Sequence, residues 1–185
     1  HELGALTVGV VTKPFSFEGK RRKHVADEGI AKLQEQVDSF IVIPNDRLMI
    51  ALDQEVTMES AFRMADNVLR RSVQSIAELI TVAGEINVDF ADVKAIMSNA
   101  GPTWMSIGNG TGEDRAIIAA EDAINSNLLD VSISGARGVI FNITSGGDAT
   151  ISEVQTASEV IQRVVDPEAN IIFGMATDPK MENEI

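Results

Sequence analysis

The sequence predicts an α/β chain: the end of a parallel sheet, then one long connecting helix, then a second part of the α+β kind. Three observations carry this. Two continuously apolar, β-branched runs, Ala5–Thr12 and Ser39–Pro44, flank a helical pattern, as in a βαβ unit with strands buried on both faces. A single apolar stripe then persists over Met58–Ile80. After it, strand-like and helix-like segments alternate again.

In chain order, ALTVGVVT (Ala5–Thr12) is the first strand and Lys13–Gly19 a loop punctuated by Pro14. Lys20–Val37 is expected as a helix, with Val25, Ile30, Leu33 and Val37 at roughly helical spacing. SFIVIP (Ser39–Pro44) is the second strand, ended by Pro44 and Asn45. Asp46–Leu52 reads as a short helix and Gln54–Val56 as a connection. Thr57 is placed to cap the long helix, with Ser60 near it, and Phe62, Ala65, Leu69, Val73, Ile76 and Ile80 form the stripe. At about 1.5 Å per residue it spans about 30 Å, enough to join two domains. Further on we expect a short helix at Asp89–Ser98, a weak strand at Thr103–Gly108, a helix at Asp114–Asn125 and irregular chain at Leu128–Ser134. Strands follow at Gly138–Thr144 and Asn170–Met175, separated by a helix reaching Val165 that opens on a capping box of Ser152 and Gln155.

Composition narrows the function classes. The 185 residues suit one large domain or two small ones, and 44% hydrophobic content supports a packed core. A net charge of −13 argues against nucleic-acid binding through the phosphate backbone. Without cysteine there are no disulfides or thiolate metal sites, and His1 and His24 are too few and too badly placed for a histidine metal site. No basic-then-apolar signal segment opens the chain, and no apolar run approaches the ~20 residues needed to span a bilayer. The chain opens without Met on His1-Glu2-Leu3-Gly4, which resembles a helix end, and stops at Ile185 without a closing element; we expect a fragment cut at both ends.

Four places carry candidate chemistry. The loop Pro14–Lys23 follows the C-terminal end of a buried strand, where open α/β sheets bind ligands. Its bases Lys20, Arg21, Arg22 and Lys23 oppose the dipole of the helix they start, and Glu18 is a candidate acceptor for a sugar hydroxyl. Asn45 and Asp46 end the second strand at the same sheet edge; Asn45 suits a base edge, although an Asn–Asp turn explains the pair equally. Phe62 and Asp66 are four apart on one helix face and suit a flat base with N–H donors, or core and solvent respectively. In GEINVDFAD (Gly84–Asp92), Asp89 and Asp92 share one face of a starting helix, with Asn87 before them. Spacing leaves two readings open there: a helix cap with an acidic first turn, or a functional acid pair. The glycine-rich Gly108–Asp114 lacks the third glycine of a dinucleotide fingerprint and carries Glu113 and Asp114, so it reads as a connecting turn. Ser145-Gly146-Gly147-Asp148 is another turn, and no Ser-His-Asp arrangement can be assembled.

Five blocks together resemble one family. LTVGVVTKPFSFEGKRR (Leu6–Arg22), IVIPNDRL (Ile41–Leu48), ADNVLRRSVQSIAELI (Ala65–Ile80), NVDFADVKAIMS (Asn87–Ser98) and NIIFGMATDP (Asn170–Pro179) are similar, in order, to the FtsZ family of bacterial tubulin-like cell-division GTPases. The resemblance implies that 1–57 is the C-terminal part of the GTP-binding domain, 58–81 the central connecting helix, and 82–185 a C-terminal domain incomplete at its end. The family's GGGTGTG-type phosphate loop is absent, so the chain alone is expected to be inactive. The resemblance puts GTP or GDP against Thr12, Glu18, Arg22, Asn45, Phe62 and Asp66: Glu18 and Arg22 on the ribose and phosphate side, Asn45 and Asp66 at the guanine edge, Phe62 on the ring. It makes Asn87, Asp89 and Asp92 the catalytic synergy loop, which enters the nucleotide pocket of the next subunit and orients the attacking water, with a magnesium or potassium ion at the subunit interface. It implies a head-to-tail homopolymer in the cytoplasm at the division site, with other division proteins as partners and only indirect membrane contact. The alternative it leaves is a non-catalytic fragment that binds or caps filaments of the intact protein. Trp104 and Gly108–Gly112 depart from the family's usual pattern, away from the nucleotide positions.

Overall fold

A computed structural model describes residues 4–50, 57–82, 84–126 and 132–185. The expected helix end at Leu52, the connection Gln54–Val56 and most of the irregular stretch Leu128–Ser134 lie outside them. The chain divides into two compact units. The first comprises His1–Ile76, Met97–Met105 and Asn127–Asp130; the second comprises Ala77–Ile96, Ser106–Ser126 and Val131–Ile185.

In the first unit, β1 (Val8–Lys13), α1 (Lys20–Gln34), β2 (Ser39–Pro44), α2 (Asn45–Ile50) and most of α3 (Met58–Thr81) surround a parallel sheet. Its order is β1-β2-β3, with β3 at Gly101–Thr103. Val8 pairs with Ser39 and Lys13 with Pro44, so the two strands end together. β2 is central, which is why its apolar run is mostly buried; β1 is only half-buried along its length because it lies at the sheet edge. The core is Ile41, Ile43, Leu48 and Ala65, with Val10, Met64, Val68, Ile76 and Met105 packed on it.

α1 ends at Gln34, short of the expected Val37, because the chain is captured by the sheet. The Asp38 carboxylate accepts the Thr7 N–H at 2.9 Å while the Asp38 N–H donates to the Thr7 carbonyl at 2.9 Å. Val25, assigned to the buried face, is exposed, while Leu33 lies over Gly9. α3 starts as expected: the Ser60 N–H donates to Thr57 Oγ1 at 3.2 Å. Its 24 residues span about 36 Å.

The second unit holds α4 (Phe90–Met97) up to Ile96, α5 (Arg115–Ile124), β4 (Gly138–Ser145), α6 (Ile151–Gln162) and β5 (Asn170–Thr177). β4 and β5 run parallel in full register, Gly138 with Asn170 through Ser145 with Thr177. Ala116, Ala119, Ala120, Ile143, Ala157 and Ile185 form its core. The short alanines let α5 and α6 approach closely, and Phe141 and Phe173 stack at 5.8 Å.

Two element readings need correction. The capping box of α6 is Thr150 with Glu153, not Ser152 with Gln155: the Glu153 N–H donates to Thr150 Oγ1 at 3.2 Å, and Glu153 Oε2 accepts the Thr150 N–H at 2.7 Å. Both pairs satisfy the sequence pattern; Glu153 wins because it is also the anion held by Arg115. The weak strand is Gly101–Thr103 rather than Thr103–Gly108, since the Gly101 N–H joins the Asp38 carbonyl at 3.0 Å and so begins the pairing with β2.

Candidate functional site

The six expected nucleotide contacts all fall in the first unit. Thr12 lies near the end of β1, opposite Ile43, and Asn45 follows Pro44 at the end of β2, so both stand at the C-terminal edge of the sheet. Glu18 closes a single 3-10 turn, Ser16–Glu18, between β1 and α1. Its Oε1 accepts the Phe15 N–H at 2.9 Å and its Oε2 accepts from Arg22. Its side chain is 8% exposed, whereas that of Arg22, its ion-pair partner, is 67% exposed.

The turn is anchored from two sides. Phe15 is buried and stacks on Phe17 at 5.0 Å, and Phe62 of α3 meets both rings edge-on at 5.5 and 6.2 Å. On the other side, Asp46 accepts the Ser16 N–H at 2.9 Å and the Ser16 hydroxyl at 2.5 Å. Those two bonds, the hydroxyl first, lower the Asp46 pKa from the usual carboxylate value, and Lys23 adds to the effect. Glu18, Arg22, Asn45 and Phe62 are thus brought onto one framework. Thr12 stands at the sheet edge and Asp66 is exposed on α3 one turn after Phe62; among the described residues no side-chain hydrogen bond joins either of them to the other four.

Asn45 is 5% exposed, and among the described residues its Oδ1 has no hydrogen-bond partner. A buried, unpaired amide oxygen costs about 1–3 kcal/mol. The C-terminal edge of a parallel sheet, where Asn45 stands, is where open α/β sheets bind ligands.

The Asp-rich loop lies in the second unit. It is seated on β5 by an antiparallel bridge between Ile86 and Met175, with N–H···O distances of 3.2 and 2.9 Å. Only glycine fits at 84, where a Cβ would lie 2.1 Å from the Met175 carbonyl oxygen; at 174, a Cβ would meet Asn142 and Val88 within 3 Å. Val88 is buried, so its neighbours Asn87 and Asp89 point outward and are exposed. The Asn87 Oδ1 accepts the Gly84 N–H at 2.7 Å, leaving the amide nitrogen available. Asp89 caps α4: its Oδ1 accepts the Ala91 N–H at 2.9 Å and its carbonyl those of Asp92 and Val93 at 3.0 and 3.1 Å. The capping reading is therefore correct, and it uses one carboxylate oxygen. The helix begins at Phe90 rather than at Asp89, as befits a cap. Asp92, in the first turn, is exposed.

Sequence reasoning missed three contributors. Ser16 and Phe15 lie inside a quoted block, but their bonds to Asp46 and Phe62 join segments 30 and more residues apart. The third is Arg115, whose guanidinium is buried between Asp148 and Glu153, at 2.6 Å from each. Glu153 is pulled down to about 2, chiefly by its hydrogen bond to Arg115, and the Arg115 pKa is raised by the same bond. This triad holds the starts of α5 and α6 together and serves the fold.

Residues 1–53 match the model of the tubulin/FtsZ family GTPase domain, and residues 101–185 match that of the FtsZ family C-terminal domain. Among solved structures, an empty FtsZ dimer from M. jannaschii superposes with TM-score 0.92 at 43% identity, covering 99% of this chain and 53% of that one. The W319Y mutant of M. jannaschii FtsZ gives 0.92 at 43% identity, over 99% and 55%. A GTPγS-form protofilament of TubZ from Bacillus thuringiensis serovar israelensis gives 0.65 at 12% identity, over 92% and 50%, a likeness of fold alone. The chain spans about half the length of the FtsZ structures it matches.

Proposed function

The chain belongs to the tubulin/FtsZ family, and from that premise we propose that it is part of a GTP-binding, GTP-hydrolysing protein that polymerises head-to-tail into filaments at the bacterial division septum. The observation that carries the nucleotide reading is the buried Oδ1 of Asn45 at the sheet edge, unpaired among the described residues. In this reading Asn45 and Asp66 take the guanine edge, Phe62 supports the ring, Thr12 and Glu18 face the ribose, and Arg22 extends toward the phosphates.

Asn87, Asp89 and Asp92 act on the nucleotide of the next subunit. Phosphoryl transfer asks for positioning and charge rather than covalent help. Asp89 keeps one carboxylate oxygen outside its cap and Asp92 is exposed, so both can hold a water in line for attack. The Asn87 amide donates to the charge that develops. Carboxylate oxygens are also the right donors for a hard cation, magnesium or potassium, shared with phosphate oxygens. Such a cation neutralises charge when bound. A subunit whose active groups complete the nucleotide site of the next one makes a heterologous contact that can repeat into a filament; the FtsZ dimer and TubZ protofilament among the matched structures are named as assemblies. We place it in the cytoplasm at the division site, with other division proteins as partners and the membrane reached only through them.

Because the 185 residues carry no glycine-rich phosphate loop, this polypeptide by itself is expected not to turn over GTP. Phosphate release by the purified chain above a no-protein control would overturn that. The same absence favours a second reading of the isolated chain, as a non-catalytic piece that caps filaments of the intact protein. Substoichiometric chain then shortens filaments in a sedimentation assay, and no change in pelleted protein removes that reading.

A further inference from the structure

Asp46 lies one residue beyond Asn45, at the end of β2, yet its carboxylate is spent on another segment. Both of its oxygens are used on Ser16: one by the backbone N–H at 2.9 Å, one by the hydroxyl at 2.5 Å. Ser16 opens the turn that ends in Glu18. Phe15, just before it, is 1% exposed and carries the ring contacts to Phe17 and Phe62. One carboxylate therefore ties the strand end that presents Asn45 to the turn that presents Glu18, with the Phe62 ring set by the same turn. A short turn between a strand and a helix has few bonds of its own to fix it. Here its internal bonds are those between Phe15 and Glu18 and from the Gly19 N–H to the Ser16 carbonyl at 3.3 Å.

We propose that Asp46 is a positioning residue of the nucleotide site: it acts through Ser16 to hold Glu18 and Phe62 at a fixed distance from Asn45. This rests on the nucleotide reading above. It touches no nucleotide itself, so its removal loosens recognition of the sugar while leaving the groups that make the contacts in place. Affinity is lost because a turn that is no longer held must be ordered on binding. The two bonds are exposed, so the effect is moderate, about threefold to tenfold in affinity.

The test is titration calorimetry of GDP and 2′,3′-dideoxy-GDP on the protein of full family length carrying this chain. It is run for the unaltered protein and for Glu18→Ala, Asp46→Ala, Asp46→Asn and Ser16→Ala, with a thermal melt of each. Glu18→Ala is expected to erase the preference for the sugar hydroxyls. Asp46→Ala is expected to reduce that preference at least threefold with its melt close to that of the parent, and Ser16→Ala and Asp46→Asn, which each keep one of the two bonds, to fall between. If Glu18→Ala erases the preference and Asp46→Ala leaves it intact, Asp46 is not a positioning residue although the site reading stands. A preference unchanged even by Glu18→Ala overturns the site reading and this inference with it. Should Asp46→Ala melt early, Ser16→Ala alone decides: an unchanged preference there also overturns the proposal.

Discussion

Around Phe15, polar groups bond across segments far apart in sequence: Ser16 to Asp46, and Phe62 against Phe15 and Phe17. Around Asp89, Asn87 bonds to Gly84 and Asp89 to Ala91 within the loop itself, while Glu85 accepts from the Thr177 hydroxyl of β5 at 2.9 Å. Both regions are seated firmly, one by aromatic packing and the other by the Ile86–Met175 bridge and the glycines at 84 and 174. They differ in what they leave unused. The first leaves a buried acceptor, the Asn45 Oδ1, which is costly unless something fills it. The second leaves exposed carboxylates, which cost nothing in water and find no substrate among the groups of their own loop. In the proposed function the first region receives a ligand and the second is presented to a neighbouring subunit.

The comparison breaks most visibly through Asp89. In the full-length protein, Asp89→Ala is expected to lower the GTPase rate in the polymer about 100-fold or more, the range for losing one positioned polar group in a transition state. GTP affinity should stay within about twofold, because in the proposed function the group serves a neighbour's site. Steady-state phosphate release beside equilibrium nucleotide titration separates the two; a parallel loss of affinity places Asp89 in the binding site of its own subunit.

Asn45→Ala should do the reverse. It removes the unpaired acceptor, so GDP affinity falls about tenfold to a hundredfold while the melt without nucleotide is unchanged or raised. An unchanged affinity, measured by titration, removes the base-edge role.

A smaller effect concerns the fold alone. Arg115→Met leaves Asp148 and Glu153 facing each other without their cation and is expected to lower the melting temperature of the purified chain by about 5–8 °C. Nucleotide affinity should not move; if it does, the triad is not merely structural.

The mildest probe is pH. Glu153 has its pKa depressed from 4.5 to about 2, so its stabilisation is fully present above pH 4.5 and is lost as pH falls from there toward 2. Chemical denaturation between pH 6 and 3 should show this acid loss in the parent protein and less of it in Glu153→Gln. Equal slopes would mean that other carboxylates carry the acid response.

Much of this was legible in the sequence because the signals are local. Continuous apolar runs gave β2 and β4, the Thr57–Ser60 pair gave the start of α3, and Asp89 before an apolar turn gave the cap. What was not legible depends on partners distant in sequence. Lys20–Val37 looked helical throughout because nothing local says that Asp38 will bond to Thr7. Thr150–Glu153 and Ser152–Gln155 are equal as capping patterns until Arg115 arrives from 38 residues away. The six nucleotide positions were named as a set through family resemblance. Composition and spacing offered Glu18 with the bases Lys20–Lys23 in the first loop, Asn45 at a strand end and Phe62 with Asp66 on a helix, and none of these reveals that Ser16 and Asp46 join them.

The central claim, that the Asp-rich loop completes a neighbour's site, is tested most directly by mixing two defective proteins. Asp89→Ala subunits keep a good nucleotide site but lack the activating group; Asn45→Ala subunits keep the group but, at limiting GTP, stay empty. Each alone should be nearly inactive. Mixed in equal amounts, about one interface in four pairs a filled site with an intact loop, so GTP turnover should recover to about a quarter of the unaltered rate. A mixture no more active than the sum of its parts, with both proteins present in the same pelleted filaments, would contradict the claim.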